Sequence, residues 1–402
     1  WLATKTDGAF FVPNVDYFFF NYHPDNVKGL GLTHHNVWDI VEFKKTLWLG
    51  TANGLTQLDV ESYQTEGYLK DYIIDEYNKK FSIFKLLPYK NDLWLQTSRG
   101  LFKFDTVSKE ITPAKTTSKE FEKYLVDRVY GIYANSEGDL YGIHPDHGMF
   151  KYNLNTLSIA PLNKGFESID PFLAVGFLEP LADKPNFPLF YASGTLYRYD
   201  ITNESLEVIY QLHKKDTADI NINSYAVDKN GVLWLSFNTL GLIGLDVKTF
   251  KEVHRIDRKF IGSLLYDMFV DDIGIIWMSS HKGIWRLDHD NLHFQQYTVE
   301  DGLEVNEFNG STGTKLKDGR IAYGSVKGIT VFMPSDNRPK QALLEQVNIT
   351  SVQLMSRKLD IPATAQVNEI SLNHDDIGLD IAFSAMAFKY QDRIKFEYQL
   401  SD

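Results

Sequence analysis

Leu47-Trp48-Leu49-Gly50-Thr51-Ala52-Asn53-Gly54-Leu55-Thr56-Gln57-Leu58-Asp59 is the stretch from which the fold follows. Trp48 and Leu49 are good strand formers, Asn53-Gly54 supplies a tight turn, and a second apolar alternation runs out at Asp59. The segment therefore reads as two short antiparallel strands. It also recurs. Close copies are Leu93-Trp94-Leu95 with Gly100-Leu101-Phe102 and Asp105, Leu233-Trp234-Leu235 with Gly241-Leu242 and Asp246, and Ile276-Trp277-Met278 with Gly283-Ile284 and Asp288. Weaker copies run from Leu140 to Asn153, from Leu189 to Asp200 and from Ile321 to Pro334, and the chain opens on Trp1-Leu2-Ala3-Thr4 followed by Gly8-Ala9-Phe10. From Trp1 through Trp48, Trp94, Tyr141, Phe190, Trp234, Trp277 and Ala322 the steps stay in the mid-forties.

A tandem period of that length sets the fold class. Each period holds four strand-like runs, in the first full unit about 36–43, 46–52, 54–60 and 62–69. Helical repeats need apolar spacings of three and four, whereas here the alternation is by twos with Gly punctuation. The expectation is an all-β, seven-bladed β-propeller of four-stranded antiparallel blades, with eight blades as the alternative. Six units fill about 33–300 and a seventh has three strands between Ser311 and Pro334. The run Tyr17-Phe18-Phe19-Phe20-Asn21-Tyr22 is expected to supply its fourth strand, joining the two ends and removing open sheet edges. One segment, about 115–125, has helical character and reads as a loop insertion.

The expected organisation is a surplus hairpin at 1–13, a propeller at 14–336, a linker at 337–346 and the N-terminal part of a β-sandwich at 347–402. Runs Val347–Gln353, Glu369–Leu372, Gly378–Phe383 and Lys395–Leu400 would supply the sandwich strands. The 402 residues carry 14% aromatics, a net charge of −12 and no cysteine. That charge argues against nucleic acid or an anionic membrane surface as partner. No disulfide, thiolate metal site or cysteine nucleophile is open to the chain. Neither a signal peptide nor an apolar run of about 18 residues is present. A chain that begins inside a blade motif reads as a fragment.

Leu-Trp-Leu-Gly-Thr-x-x-Gly-Leu-x-x-x-Asp at 47–59 resembles the two-component-regulator propeller repeat. Asp301 to Asn309 resembles the lead-in to that family's closing blade, and Gly324 to Pro334 the closing blade itself. The tail, with Ile377 to Ala385 and Phe396-Glu397-Tyr398-Gln399-Leu400, is similar to the Ig-like domain named for its three tyrosines, although Phe396 stands where a tyrosine is common. The resemblance implies the periplasmic, ligand-sensing part of an inner-membrane receptor in a two-component system. Its cytoplasmic output would be a histidine kinase or, less often, a diguanylate cyclase. It further implies a homodimer in the full-length receptor, membrane attachment only through segments not in this chain, and often an oligosaccharide ligand. A second propeller preceding Trp1 would explain the cut first motif.

Motifs for chemistry are few. His34-His35 with Asp39 and His144-Pro145-Asp146-His147 are the only dense His/Asp groups, and neither offers convergent ligands for a metal. No phosphate loop, Gly-x-Ser-x-Gly elbow or His-Glu-x-x-His occurs. No catalytic residue, cofactor or metal is therefore expected. Asp59, Asp105, Asp200, Asp246 and Asp288 recur once per blade at strand ends and read as turn stabilisers; the tryptophans read as packing between blades. Blade topology does locate a candidate face. The loop entering each innermost strand and the loop between strands two and three open on one side, which carries His34, His35, Asn36, Arg99, Asp146, His147, Asn238, His281, Lys282, Asn306, Glu307 and Lys327. Amides, charges and aromatics there suit a small polar ligand such as a sugar. A propeller-fold lyase or glycosidase and a protein-binding scaffold are the alternatives; a convergent acid pair in the channel mouth would favour the first.

Overall fold

The computed structural model describes residues 2–3, 9–10, 18–23, 28–29, 31–70, 81–167, 169–171, 174–181, 184–212, 220–288, 292–337, 348–354, 374 and 376–384. They fall into two units, Tyr17–Asp336 and the two chain ends together.

Seven four-stranded antiparallel blades make up the larger unit. In blade 1 the strands are Val37–Phe43, Thr46–Thr51, Gly54–Leu58 and Gln64–Tyr68, with Lys28–Gly29 added in parallel outside. The innermost strands of blades 2 to 7 are Ile83–Tyr89, Tyr130–Ala134, Ala174–Leu178, Ile222–Val227, Leu265–Val270 and Phe308–Lys315. Blade 7 takes its outermost strand, Phe20–Tyr22, from the start of the chain; it pairs with Gly328–Phe332, as the sequence suggests. Lys119–Tyr124, within the expected insertion, is a 3-10 helix.

Packing explains the closure. There are seven buried apolar clusters among the described residues, one at each blade boundary. Trp48 and Leu55 of blade 1 meet Phe81, Ile83, Leu93 and Phe104 of blade 2. Trp234 and Leu242 of blade 5 meet Leu265, Met268 and Ile276 of blade 6. The last cluster joins Tyr22, Ala322, Ile329 and Val331 of blade 7 to Val37, Ile40 and Leu47 of blade 1, so no blade keeps an uncovered face. Burial of this kind contributes about 25 cal/mol per Å² of apolar surface, and it is spread around the ring.

Turn chemistry repeats as expected. Asp59, Asp105, Asp200 and Asp246 each accept two backbone N–H groups from the turn that follows. The glycine between strands two and three is required at φ of +101° to +113° in five blades (Gly54, Gly100, Gly241, Gly283, Gly328). At Gly283 a Cβ would stand 2.0 Å from the Tyr297 carbonyl oxygen, so no side chain fits.

The second unit is described in pieces. Leu2–Ala3 pairs with Ala9–Phe10 in a two-stranded sheet, and Asn348–Leu354 pairs antiparallel with Leu379–Ser384. The runs expected at Glu369–Leu372 and Lys395–Leu400 lie outside the described residues.

Candidate functional site

All seven innermost strands carry the same irregularity. Their pairing register slips near the end that enters from the candidate face, between Val37 and Asp39, around Phe84, and between Tyr130 and Tyr133, Ala174 and Gly176, Ile222 and Ser224, Leu265 and Met268, and Phe308 and Gly313. A bulge inserts an extra residue and re-aims side chains. Here it lets two apolar residues three apart both enter the blade core: Val37 and Ile40, Ile83 and Leu86, Val129 and Ile132, Leu265 and Met268 are all buried. The pair between them is displaced from that core. These intervening pairs are Trp38-Asp39, Phe84-Lys85, Tyr130-Gly131 and Tyr266-Asp267, with Asn223-Ser224 at the corresponding place in blade 5.

The first members are largely aromatic. Phe84 is 39% exposed and meets Trp38 edge to face, with ring centroids 6.1 Å apart. The second members form polar links across blade boundaries. Asp39 is fully buried; its Oδ1 accepts from Lys85 Nζ at 3.1 Å and its Oδ2 from the Leu86 N–H at 2.7 Å. Ser224 Oγ accepts from the Met268 N–H at 3.0 Å, and Asp267 Oδ2 from the Thr312 N–H at 2.6 Å. Asn309 closes the ring, donating to Asn36 Oδ1 and the Val37 carbonyl.

Lys85 also interacts with Asp267 of blade 6 and, more weakly, with Glu179 beside blade 4. Neither blade adjoins blade 2, so these charges act on one another across the ring. The Lys85 side chain keeps 38% of its surface accessible while its partner Asp39 keeps 1%, so a partly accessible lysine grips a sealed carboxylate. Burial pushes the Asp39 carboxyl up, against the opposing pull of Lys85. The charge of Asp39 pushes the Lys85 ammonium up. Burial also lifts Asp267, to about 6, with the Thr312 N–H and Lys85 pulling the other way. Further along the strands Tyr225 donates to the Glu179 carbonyl at 2.6 Å, and Tyr133 feels the same glutamate.

The twelve residues named from sequence lie on the loops around the mouth, and most are engaged in building them. His34 Nδ1 accepts from the Asn36 N–H and its ring stacks on His35 at 4.1 Å. His281 Nδ1 accepts from the Leu264 N–H at 3.1 Å, Lys282 Nζ donates to the Gly262 carbonyl, and Asn306 Oδ1 accepts from the Val299 N–H. Asn238 Oδ1 caps the Asn221 N–H, Asp146 pairs with Arg128 at 2.7 Å, and the Arg99 and Lys327 N–H groups bond Thr97 and Ser325 hydroxyls. Glu307 is exposed and lies near enough to raise Tyr266 further, after burial. The two histidine groups do not assemble as metal centres. Asp39 faces Lys85 rather than His34 and His35, and His144 Nδ1 is taken by the Asp146 N–H. Burial, with His147 stacked at 4.4 Å, holds the His144 pKa down, as a ring accepting from an N–H requires.

Sequence reasoning missed Trp38, Phe84, Lys85, Tyr266 and Asp267. The signal that finds them is apolar-x-x-apolar at the start of the innermost strands of blades 1, 2, 3, 5 and 6, where strict alternation would place the second intervening residue inside the core.

With that geometry, the chain can be set beside known structures. The fold is shared with extracellular domains assigned to two-component systems. The extracellular domain of BT4673 from B. thetaiotaomicron, assigned to a hybrid two-component system, superposes with a TM-score of 0.60 at 14% identity, over 84% of this chain and 41% of that one. BT3049 of the same organism, likewise assigned, gives 0.61 at 18% identity, over 90% of this chain and 46% of that one. This chain thus spans less than half the length of either. A streptogramin B lyase also superposes, at a TM-score of 0.52 and 15% identity, over 78% of this chain and 96% of the enzyme. No protein-family model and no curated protein matches the chain.

Proposed function

We propose that this chain is the ligand-sensing piece of a bacterial receptor, lying in the periplasm and regulating a cytoplasmic histidine kinase or comparable output. In this reading a small polar ligand, best matched by an oligosaccharide, enters the axial channel from the bulged end of the innermost strands. Trp38, Phe84, Tyr130 and Tyr266 offer ring faces, and Asn223, Lys85 and Asp267 offer polar groups. The repeated bulge carries the reading, because in five blades it spends core alternation to turn aromatic or polar residues away from the blade core. The fold shared with those extracellular domains supports it. A ligand that binds one arrangement of the receptor's domains better than another shifts the population between them, and a homodimer would pass that shift to the membrane segments. Residues 1–13 as the end of a preceding propeller and 347–402 as the start of an Ig-like domain belong to the same proposal.

The enzyme reading has a specific observation behind it, since the charges of Asp39 and Asp267 both act on Lys85. Both, however, are committed: Asp39 accepts on both oxygens, and Asp267 binds the backbone of blade 7. A general acid needs a free, reachable proton, which favours binding over catalysis.

Thermal unfolding against a panel of neutral and acidic oligosaccharides tests the proposal, because a ligand of the folded state raises the melting temperature. A shift that disappears in Trp38→Ala and Phe84→Ala supports channel binding. A shift that survives both moves the site elsewhere, and hydrolysis or elimination products in the panel establish the enzyme instead.

A further inference from the structure

On the opposite face, between blades 2 and 3, lies a cleft of about 410 Å³. It is lined by Tyr89, Lys90 and Asp92 at the first turn of blade 2, by Lys103 and 112–115 further out, and by Leu154, Asn155 and Leu157 of blade 3. Trp94 forms part of its wall. That tryptophan is 3% exposed, and its indole N–H has no hydrogen-bond acceptor. Burying such a donor unpaired is costly, about 1–3 kcal/mol, and blades 5 and 6 avoid it. In blades 5 and 6 the equivalent Trp234 and Trp277 donate to Asp228 and Asp271, at 2.8 and 2.9 Å, from a four-residue Asp-x-x-Gly turn. Blades 1 and 2 have shorter turns without that aspartate, Lys44-Lys45 and Lys90-Asn91.

Trp48, the counterpart in blade 1, also lacks an acceptor, but its site is closed. Lys109 from the turn of blade 2 lies over the Trp48 ring at 5.3 Å and over Tyr68 at 4.9 Å. Its counterpart in blade 3, at the same left-handed turn position, is Leu157, which covers no indole with charge and leaves the cleft open. The cleft is also cationic. Lys90 is tied to Asn155, Lys103 pairs with Asp92 at 3.0 Å, and Lys115 has no ion pair among the described residues, so three ammonium groups face one carboxylate on a chain of net charge −12. Pro113, Ala114, Leu154 and Leu157 supply apolar wall.

We infer that this cleft binds a small organic anion, its carboxylate or sulfate held by Lys90, Lys103 and Lys115 and its ring body laid against Trp94, Leu154 and Leu157. The volume suits one or two rings. Lysines act as point charges without the planar fork of arginine, so the site selects charge and ring size rather than one oxyanion geometry. It lies on the other face from the channel mouth, and its success or failure is independent of the sensing proposal.

The test uses the whole chain labelled with 5-fluorotryptophan, the Trp94 signal being assigned by its loss in Trp94→Phe. Sodium glucuronate and sodium benzoate are the probes, one a saccharide anion and one an aromatic anion; glucose, benzyl alcohol and inorganic sulfate are the controls. A saturable Trp94 shift with either organic anion is expected, and which probe binds tighter identifies the source. Lys103→Gln should weaken it about tenfold at low salt, where screening is least. Asp92→Asn should strengthen it by freeing Lys103, and Trp48→Phe should leave it unchanged. No saturable shift with either anion overturns the inference. So does an equal response to glucose or benzyl alcohol, and so does inorganic sulfate binding as tightly as both organic anions.

Discussion

Asp271 shows how one side chain can hold a blade at two levels. It accepts the Ile273 and Ile275 N–H groups on one oxygen and the Trp277 indole on the other, in a nearly sealed position. Asp105, at an exposed turn, accepts two backbone N–H groups and nothing else. Asp271→Ala strands a buried indole and two amides and should cost about 3 kcal/mol, whereas Asp105→Ala, at a turn open to water, should cost far less; denaturant unfolding of both variants distinguishes them, and equal losses contradict the assignment. Asp267 makes a prediction in pH. Its carboxyl titrates near 3.8 when unfolded and near 6 when folded. The folded state therefore holds the extra proton between those values, and stability from this group declines as pH rises through that window and stays lost above it. Asp267→Asn should remove that decline, so its stability relative to the parent chain should improve steadily from pH 4 to pH 6.5. A constant difference would show that Asp267 titrates normally.

At the level of the element, the blade was largely legible. Trp48, Gly54 and Asp59 mark a strand, a left-handed turn and a turn cap in fixed order, and each of those roles is local. What local pattern cannot show is a bulge. Val37-Trp38-Asp39-Ile40 read as plain alternation would put Asp39 beside Val37, in the core; the slipped register instead buries Val37 with Ile40 and turns Asp39 to Lys85. The partner of Asp39 is 46 residues away in the next blade, so the pair has no signature within one repeat. The twelve loop residues were found because loop sides follow from topology alone. Their hydrogen bonds to neighbouring backbone were not visible in the same way. Glycine gives the test at this scale. Gly283→Ala meets the Tyr297 carbonyl at 2.0 Å, whereas Gly148, with φ of +89°, has nothing within 4 Å of a Cβ. Gly148→Ala should cost about 1 kcal/mol, as expected for alanine at positive φ. Gly283→Ala should cost at least twice that or shift the outer strand, readable as a drop in melting temperature.

For the whole propeller, stability rests on closure. Blade 7 is completed by Phe20–Tyr22, whose Tyr22 hydroxyl donates to the Val60 carbonyl and whose Asn21 joins Gly302 and Thr330. A chain starting at residue 24 loses that strand together with the buried Phe19 and Tyr22, and leaves a sheet edge open. It should aggregate or melt well below the full chain; an unchanged melting temperature would mean that closure does not depend on this strand. Closure also creates the axis on which the ligand is proposed to bind. Hydrogen exchange, read with and without a ligand found in the thermal panel, tests that binding most directly. Axial binding predicts slowed exchange at the bulges, around 38–39, 84–86, 130–132, 223–224, 266–268 and 309–313, with outer strands unaffected. Protection confined to outer strands, or to residues outside 17–336, would contradict it.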